Sequence, residues 1–440
     1  MPVSVRRAAL AVAIIFPALL VFSVRGPSRA LSDSSDFATV YAASRCWMFH
    51  ENPYLHSSVI GQYSLGHGDI EHTPNAYNGT SVYPPSIFPL VASVAWLDWN
   101  QARRVWLAVN LLSFAASLVC LSRSELIPNA TVRTALIALL LLFSPVQSGI
   151  AKGQPSVVCI SLLVCAFYLR RSRKEELLSG LLLGLSCCIK PNIALPYILF
   201  CCWRRQWRVA AASVAVTSLF SIVALTSLYA FSPGWLHAWS SNVRGVSANG
   251  GSMDPTIAAG ISYLLINFQT LVGFFTINQA LCNVVTYALL GGLAIWVIAV
   301  AKPLTDPWRL LALLSLLVLL GSYHRYYDLQ LLMLGTNAVL EICRKQWQPR
   351  LWATLVVPGI LLWAPLQALA GDHLLPRMAG TPASFSTTVV QFFAFRNQPI
   401  CLSVLTATFA WLVLAARDLP SGQTRFAPFV VAHAPRDRRD

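Results

Sequence analysis

Charged residues are scarce in this sequence: they make up 11% of 440 residues, whereas soluble domains carry about 25%. A surface that faces water needs charge to cover it, while a surface that faces lipid must avoid charge because an ion in hydrocarbon costs several kcal/mol. Hydrophobic residues make up 56% of the chain. The composition excludes an ordinary soluble domain and predicts a polytopic integral membrane protein.

Acidic residues are few even among the charged ones, with 17 Asp and Glu against 32 Lys and Arg and a formal net charge of +15. In a soluble protein this excess would indicate nucleic-acid binding. Here the basic residues stand in short clusters between apolar runs, as the positive-inside rule requires, and no basic face is interleaved with exposed aromatic residues. We therefore expect basic loops in the cytoplasm and no nucleic-acid partner.

Metal-ligand spacings and internal repeats are also missing from the sequence. The eleven cysteines lie nearly all inside apolar runs, where a free cysteine behaves as a small buried hydrophobe, and none has the spacing of a metal site. The segment from His67 to His72 has metal-binding residue types but is predicted to be a solvated loop. No repeat of roughly 20 to 50 residues indicates a solenoid, and nothing resembles the inverted repeat of a transporter.

The apolar runs predict about twelve membrane spans, since a span needs about 20 apolar residues and shorter runs are tolerated near a bundle interior. They lie near 8–23, 104–121, 132–150, 155–169, 177–190, 191–203, 209–231, 277–301, 308–322, 327–342, 351–370 and 399–416. Two more stretches, 83–98 and 257–276, are ambiguous. If neither crosses, every basic cluster falls on the cytoplasmic side, so charge parity favours twelve spans with both termini cytoplasmic. A signal peptide cleaved near Ala30 is the alternative to a retained first span.

This topology predicts one helical membrane domain over 1–416, with a long non-cytoplasmic loop at 24–103, and a disordered cytoplasmic tail at 417–440. It also gathers the unusual polar residues on the non-cytoplasmic side. They are Asp33, Asp36, His50, Glu51, Lys152, Gln154, Lys190, His324 and Arg325. Because such groups are costly at membrane depth and usually functional, we expect the active face to be non-cytoplasmic.

Asp36 is the best candidate for a general base. It follows the first span, at the interface where a lipid donor and a polar acceptor can both reach a carboxylate. Tyr41 and Arg45 follow at about one-turn spacings. The alternative is that Asp33 or Asp36 only caps a short helix.

A second polar segment runs from Tyr323 to Asp328, between two predicted spans. His324 and Asp328 are four residues apart and would share a helix face, so the carboxylate could orient the imidazole. A cationic histidine beside Arg325 would suit a phosphate leaving group. The alternative is an interfacial aromatic belt with a snorkelling arginine.

Lys152 and Lys190 each stand alone in a tight turn on the predicted outer side, against the positive-inside trend. A lysine in this position usually has an anionic partner, and a lipid phosphate is a natural one. The alternative for both is snorkelling of the ammonium to the headgroups.

Taken together, the residues from Asp36 to about Leu332 resemble glycosyltransferase family 87, which belongs to the GT-C superfamily of transferases that use polyprenyl-phosphate sugars. The motifs that carry the resemblance, besides Asp36, are Asn52-Pro53-Tyr54, Tyr83-Pro84-Pro85, Gly153-Gln154-Pro155, Gly180-Leu-Leu-Leu-Gly184, Lys190-Pro191, the basic patch at 204–208 and the segment from Tyr323 to Asp328. The resemblance implies a GT-C-type helical bundle with juxtamembrane helices in the first loop. It also implies Asp36 as the catalytic base and His324 as a catalytic residue at the donor site.

The implied reaction transfers a hexose, commonly mannose, from a polyprenyl-phosphate donor to a glycolipid or glycan acceptor at the cell membrane. A single attack by the acceptor would invert the anomeric configuration, and no metal or other cofactor is required because cationic side chains could take its place. The residues predicted to bind donor phosphate and sugar are Lys190, Arg325, Lys152, Gln154, Tyr41, Asn52, Tyr54 and Tyr83. The alternatives are a lipid-carrier flippase without chemistry and a glycan polymerase or ligase.

Overall fold

The computed structural model describes residues 3–69, 80–127, 129–169, 173–300, 306–345, 349–363 and 385–415. The predicted tail at 417–440 lies outside these residues. Throughout the described part the chain is helical, apart from turns and one isolated bridge between Leu265 and Arg325. An all-helical membrane fold, predicted from the composition, is therefore confirmed.

The helices follow one another closely along the chain. In order they are α1 (Val3–Arg25), α2 (Pro27–Ala30), α3 (Ser35–Met48), α4 (His56–Leu65), α5 (Ile87–Ala95), α6 (Trp99–Ser122), α7 (Ala130–Leu141), α8 (Ser144–Ala151), α9 (Pro155–Tyr168), α10 (Arg173–Ile189), α11 (Pro191–Trp203), α12 (Trp207–Phe231), α13 (Trp235–Ser247), α14 (Gln269–Val272), α15 (Gln279–Val300), α16 (Pro307–Gly321), α17 (Thr336–Lys345), α18 (Pro349–Trp363) and α19 (Phe385–Ala415). Two 3-10 helices, Ser262–Leu264 and Tyr326–Gly335, complete the series.

Several of these helices can cross a membrane. By length and composition, the described residues contain five helical segments long and apolar enough to span alone. The first, Ala9–Ala30, covers most of α1 and all of α2, and the others lie in α6, α12, α15 and α19. The pair α7 and α8, bent by 47°, makes a sixth if it is one broken span. Four shorter apolar helices, α9, α11, α16 and most of α18, have 10 to 17 residues. The chain is a multi-pass membrane protein, and the count of twelve spans stays a prediction.

The two ambiguous stretches form no long helix. Within 83–98, α5 has nine residues, which at 1.5 Å per residue is about 13 Å, less than half the hydrocarbon thickness. Within 257–276, the helical pieces are a three-residue 3-10 helix and the four-residue α14. Both lengths fit the topology in which neither stretch crosses.

The first loop is organised by short helices that pack on the bundle, as the family resemblance implied. On α3, Tyr41 is fully buried and its hydroxyl donates to the Leu97 carbonyl oxygen at 2.7 Å. The Arg45 guanidinium donates to the Ala95 carbonyl oxygen at 3.0 Å, which fixes the end of α5 against α3. Since the polar atoms of Tyr41 and Arg45 serve the loop itself, the structure gives Tyr41 a packing position rather than the predicted contact with substrate.

Two glycines let α10 and α12 approach closely. A Cβ on Gly180 would stand 2.8 Å from the Val209 carbonyl oxygen, and one on Gly184 would stand 2.7 Å from the Ser213 carbonyl oxygen. Small residues four apart allow this kind of backbone contact between membrane helices. The glycine motif that contributed to the family resemblance is therefore a packing seam.

We expect Gly184→Ala to lower the free energy of unfolding by about 1–3 kcal/mol, because the added methyl group meets rigid backbone. Gly291→Ala on α15 is the matched control: no atom lies within 4 Å of its Cβ position, so the helix-propensity gain should leave stability equal or slightly higher. Thermal unfolding of both purified variants in detergent measures the difference. Equal melting temperatures of the Gly184→Ala and Gly291→Ala variants would contradict close packing of α10 against α12 at Gly184.

Candidate active site

The amino end of α3 docks on the turn between α8 and α9. The backbone N–H of Ser34 donates to the Ala151 carbonyl oxygen at 3.2 Å, and that of Asp36 donates to the Lys152 carbonyl oxygen at 3.1 Å. Gly153 has a φ of +63°, and a Cβ there would stand 2.8 Å from the Phe37 Cβ. Glycine is the residue that adopts this left-handed conformation without steric cost, so the turn can lie directly under α3.

Docking places the Asp36 carboxylate in a partly buried position near positive charges. Gln154, which is itself buried, donates through Nε2 to Asp36 Oδ2 at 2.8 Å. Burial raises the pKa of Asp36 above its usual value, and the positive charges of Arg325 and Lys152 offset part of that rise. A partly buried carboxylate with a raised pKa is the electrostatic state expected of a general base.

Asp33, three residues earlier, has a different environment. Its Oδ2 accepts a hydrogen bond from Lys152 Nζ at 2.9 Å, with the two side chains 35% and 41% exposed. Burial would raise the pKa of Asp33, but hydrogen bonds from Ser35 and Lys152 outweigh it and lower the pKa. Both candidate carboxylates are partly exposed. Asp33 is the ion-paired one with a lowered pKa, and Asp36 is the one with a raised pKa.

A second carboxylate, Asp328, is buried at the centre of a hydrogen-bonded cluster. Its Oδ1 accepts from Lys190 Nζ at 3.3 Å and from Ser156 Oγ at 2.5 Å. The anionic partner of Lys190 in the structure is thus a protein carboxylate, as Asp33 is for Lys152, where the sequence had indicated a lipid phosphate. Binding of donor phosphate by Lys190 or Lys152 stays a prediction.

His324 is held on the other side of the same carboxylate. Its Nδ1 lies 3.1 Å from Asp328 Oδ2, so the predicted pairing four residues apart is present, and its Nε2 lies 3.0 Å from Ser322 Oγ. The ring is fully buried. Both imidazole nitrogens therefore contact protein atoms, which favours a positioning role, and a direct catalytic role of His324 stays a prediction.

Arg325 is the cation that faces Asp36. Its guanidinium lies 5.8 Å over the Tyr323 ring and, within the part of the chain that the structure describes, forms no ion pair with a carboxylate. Its backbone N–H donates to Asp328 Oδ2 at 3.3 Å, and Arg325 forms the isolated bridge with Leu265. The backbone of Arg325 is therefore held by Asp328 and by Leu265. Its guanidinium charge can act on a substrate anion.

The Tyr83 segment closes the site from the first loop. The Tyr83 side chain lies within electrostatic range of Asp36, Tyr323 and Asp328, and burial raises its pKa well above the usual value. The Tyr54 hydroxyl donates to the Tyr83 carbonyl oxygen at 2.9 Å. Tyr83 is therefore placed near the candidate carboxylates, and the Tyr54 hydrogen bond holds its backbone.

Asn52 and Tyr54 were predicted to bind substrate, but the structure uses their polar atoms locally. The Tyr54 backbone N–H donates to Asn52 Oδ1 at 3.0 Å, forming an Asx-type turn. Asn242 on α13 then donates to the Tyr54 carbonyl oxygen at 2.9 Å. These residues shape the loop that carries Tyr83.

Several residues of the site were missed by sequence reasoning. Ser156 and Ser322 bond the Asp328 cluster, and Lys190 Nζ lies 5.4 Å over the ring of Tyr327. Tyr323 and Tyr327 flank the predicted site residues His324 and Arg325 in the sequence. They did not stand out as site residues, because an interfacial aromatic belt has the same composition. Ser156 had only its position after the Gly153-Gln154-Pro155 motif to distinguish it.

The arrangement can support proton transfer beside a stabilised anion. Asp36 supplies a base with a raised pKa, the positive charge of Arg325 acts on that carboxylate, and the Asp328 cluster fixes the backbone of Arg325. Within the described residues, no three His, Cys, Asp or Glu side chains are grouped so as to hold a metal ion.

Similarity to known proteins is found at the level of a family and of a solved structure. The family model of glycosyltransferase family 87 matches residues 82–322. Among solved structures, the crystal structure of ArnT from Cupriavidus metallidurans in the apo state is similar, with a TM-score of 0.41 and 13% identity, over 92% of this chain and 76% of that one. No curated protein matches the chain.

Proposed function

Because the chain belongs to glycosyltransferase family 87, we propose that this membrane glycosyltransferase moves a hexose, with mannose the first candidate, from a polyprenyl-phosphate donor to a glycolipid or glycan acceptor. The reaction takes place on the non-cytoplasmic face of the cell membrane. The observation that carries the proposal is that one turn bonds both carboxylates: Gln154 donates to Asp36 at 2.8 Å, and Ser156, two residues later, donates to Asp328 at 2.5 Å. Asp328 also accepts from the Arg325 backbone at 3.3 Å.

In the proposed reaction, Asp36 takes the proton of an acceptor hydroxyl. The hydroxyl oxygen forms a bond to the anomeric carbon as the bond from that carbon to the phosphate oxygen breaks, and the bonding electrons leave with the phosphate. Arg325 stabilises the charge that develops there, because a preorganised cation in a buried site needs no reorganisation at the moment of reaction. A single displacement inverts the anomeric configuration.

The Asp328 cluster keeps this cation in place. Asp328 accepts from the Arg325 backbone at 3.3 Å while Lys190, Ser156 and His324 hold the carboxylate itself. Groups whose own positions are locked by surrounding hydrogen bonds hold a site within the tolerance that catalysis requires. Lys190 and His324 therefore act through Asp328 in this proposal.

An apolar groove beside the site supports a lipid-linked donor. It has a volume of about 270 Å³ and is lined by Pro84, Pro85, Cys187, Pro191, Trp235 and Trp239, among others. Its lining residues include Pro84 and Pro191, which directly follow Tyr83 and Lys190 in the chain, so an isoprenoid chain in the groove would have its phosphate near the polar cluster. The runner-up function, a flippase without chemistry, needs no general base.

Transfer of label tests the function. Membranes that contain the protein are supplied with radiolabelled polyprenyl-phosphate mannose and an extract of candidate glycolipid and glycan acceptors, with membranes lacking the protein as control. We expect label in a new lipid or glycan. Movement of the intact donor between leaflets without any new labelled product would favour the flippase and overturn the proposal.

The pH dependence of transfer should report the Asp36 carboxyl. Only the deprotonated base accepts a proton, so activity falls as pH falls through its raised pKa, and the acid limb of kcat/KM should lie above the usual aspartate value of about 3.9. Gln154→Leu removes a hydrogen bond to the charged form, which raises the pKa and moves the limb to higher pH. An unmoved limb in a variant with an unchanged melting temperature contradicts the assignment.

A further inference from the structure

A buried arginine outside the site lacks an anionic partner. Arg396 is 2% exposed and interrupts α19, where its φ of −120° and ψ of 16° break the helical geometry. Its Nη2 donates to Ser262 Oγ at 3.0 Å, while Nε and Nη1 have no hydrogen-bond partner. No carboxylate of the described residues forms an ion pair with it.

A buried cation without an anionic partner lowers the stability of the folded protein. Removing a cation from water costs several kcal/mol unless an anion and hydrogen bonds compensate it. Arg309 shows the usual solution elsewhere in the chain: it is 5% exposed, its Nε lies 3.7 Å from Asp306 Oδ2, and its Nη1 donates to the Leu412 carbonyl oxygen at 3.3 Å. Arg396 has the burial of Arg309 without the carboxylate.

A cluster of phenylalanine rings adjoins Arg396. Its Cζ lies 5.9 Å from the centre of the Phe274 ring. Phe274 meets Phe275 and Phe392 edge-on, and Phe275 is tilted against Phe392, with ring centroids 5.1–5.4 Å apart. Phe275 is 74% exposed and Phe393 is 59% exposed, so these rings present an apolar surface on which a lipid chain can pack.

The arginine is connected to the proposed active site by a short segment. Ser262, its hydrogen-bond partner, begins the 3-10 helix that leads to Leu265 and Ile266. Leu265 bridges to Arg325, and the Ile266 backbone N–H donates to the His324 carbonyl oxygen at 3.1 Å. The segment 262–266 therefore contacts both the Arg396 side chain and the backbone of residues 324–325.

We infer that Arg396 is a second phosphate site, which binds the phosphate of a lipid by the guanidinium N–H groups that Ser262 leaves free, while the acyl or isoprenoid chain lies along the exposed Phe275 and Phe393 rings. The arginine fork matches two phosphate oxygens, and a ligand anion supplies the partner that the protein does not. Within the proposed function, this site would hold either the phosphate of a lipid acceptor or a structural phospholipid.

Thermal unfolding and native mass spectrometry of the purified full chain in detergent test the inference. The added probes are a polyprenyl monophosphate, phosphatidylglycerol and inorganic phosphate, each added separately. We expect at least one of the two lipids to bind and raise the melting temperature, and Arg396→Met to weaken that binding about tenfold or more. Which lipid binds distinguishes the two sources.

The substitution also has an expected effect without lipid. Because no carboxylate of the described residues pairs with Arg396, Arg396→Met should keep or raise the melting temperature of the lipid-free protein, whereas Arg309→Met should lower it and leave lipid binding unchanged. The inference is overturned if Arg396→Met binds both lipids as the parent does, or if inorganic phosphate binds as well as the lipids. These readouts need no transfer reaction, so they stand apart from a failure of the proposed function.

Discussion

The Asp36→Asn variant is expected to lose about 10²- to 10⁴-fold of kcat for hexose transfer, the range that a positioned general base supplies. Asparagine keeps the size of the side chain and can still accept the hydrogen bond from Gln154, but it cannot take the acceptor proton. Initial rates with labelled donor, measured at saturating acceptor, give kcat. The melting temperature should stay within a few degrees of the parent, which shows that the loss is chemical.

Asp33→Asn is the matched control, because it removes a carboxylate three residues away that is paired with Lys152 and is 35% exposed. We expect it to keep most of the activity, since an exposed ion pair contributes about 1 kcal/mol or less. A folded Asp36→Asn enzyme with full turnover would disprove the base assignment. Equal losses in the two variants would show that the charge of the loop matters, rather than proton transfer.

The second large effect is on stability. Replacing Asp328 by alanine should lower the free energy of unfolding by about 3–5 kcal/mol, because it leaves the Lys190 ammonium buried without its anion. It also removes the acceptor of Ser156 and of His324 Nδ1. Thermal or denaturant unfolding in detergent measures the change.

Two further variants sharpen this test. Glu176→Gln breaks the ion pair with Arg208, which is long at 3.8 Å and partly exposed, so it should cost less than about 1 kcal/mol. The double variant Lys190→Met with Asp328→Leu removes both buried charges and should recover much of the stability lost in Asp328→Ala. If the single and double variants are equally unstable, packing rather than the uncompensated charge sets the cost.

Charge placement along the sequence predicted that the unusual polar residues lie on one side of the membrane. Asp36, Lys190 and Arg325 were expected in one compartment, and in the structure both cations act electrostatically on Asp36. The side that they face stays a prediction. A shared compartment is predictable because the positive-inside rule needs only the order of spans and basic clusters. It needs no knowledge of which helix packs against which.

The partners inside the site could not be predicted in the same way. Lys190 was expected to bind a lipid phosphate, yet it pairs with Asp328, and Lys152 pairs with Asp33. Periodicity indicates which face of a helix is apolar, but it does not say which distant turn that face meets. Ion pairs between residues more than a hundred positions apart depend on helix packing that one sequence does not reveal.

One helix boundary was missed for a local reason. The run 327–342 was predicted as a single span, but the structure has a 3-10 helix over Tyr326–Gly335 followed by α17. A 3-10 helix of ten residues is unusual, since its hydrogen bonds have poorer geometry than those of an α-helix. Here the buried contacts of Asp328 anchor its first turn, and apolar composition alone gives no sign of that tertiary anchor.

The docking of α3 has a consequence for sequence drift. Asp36 is located by the carbonyl oxygen of position 152 and by the absence of a side chain at position 153. Any amino acid offers that carbonyl oxygen, so a descendant of this protein can exchange Lys152 for another residue and keep its base in place. Position 153 cannot be exchanged in the same way, because a methyl group there would stand 2.8 Å from the Phe37 Cβ and displace the start of α3, which carries Asp36.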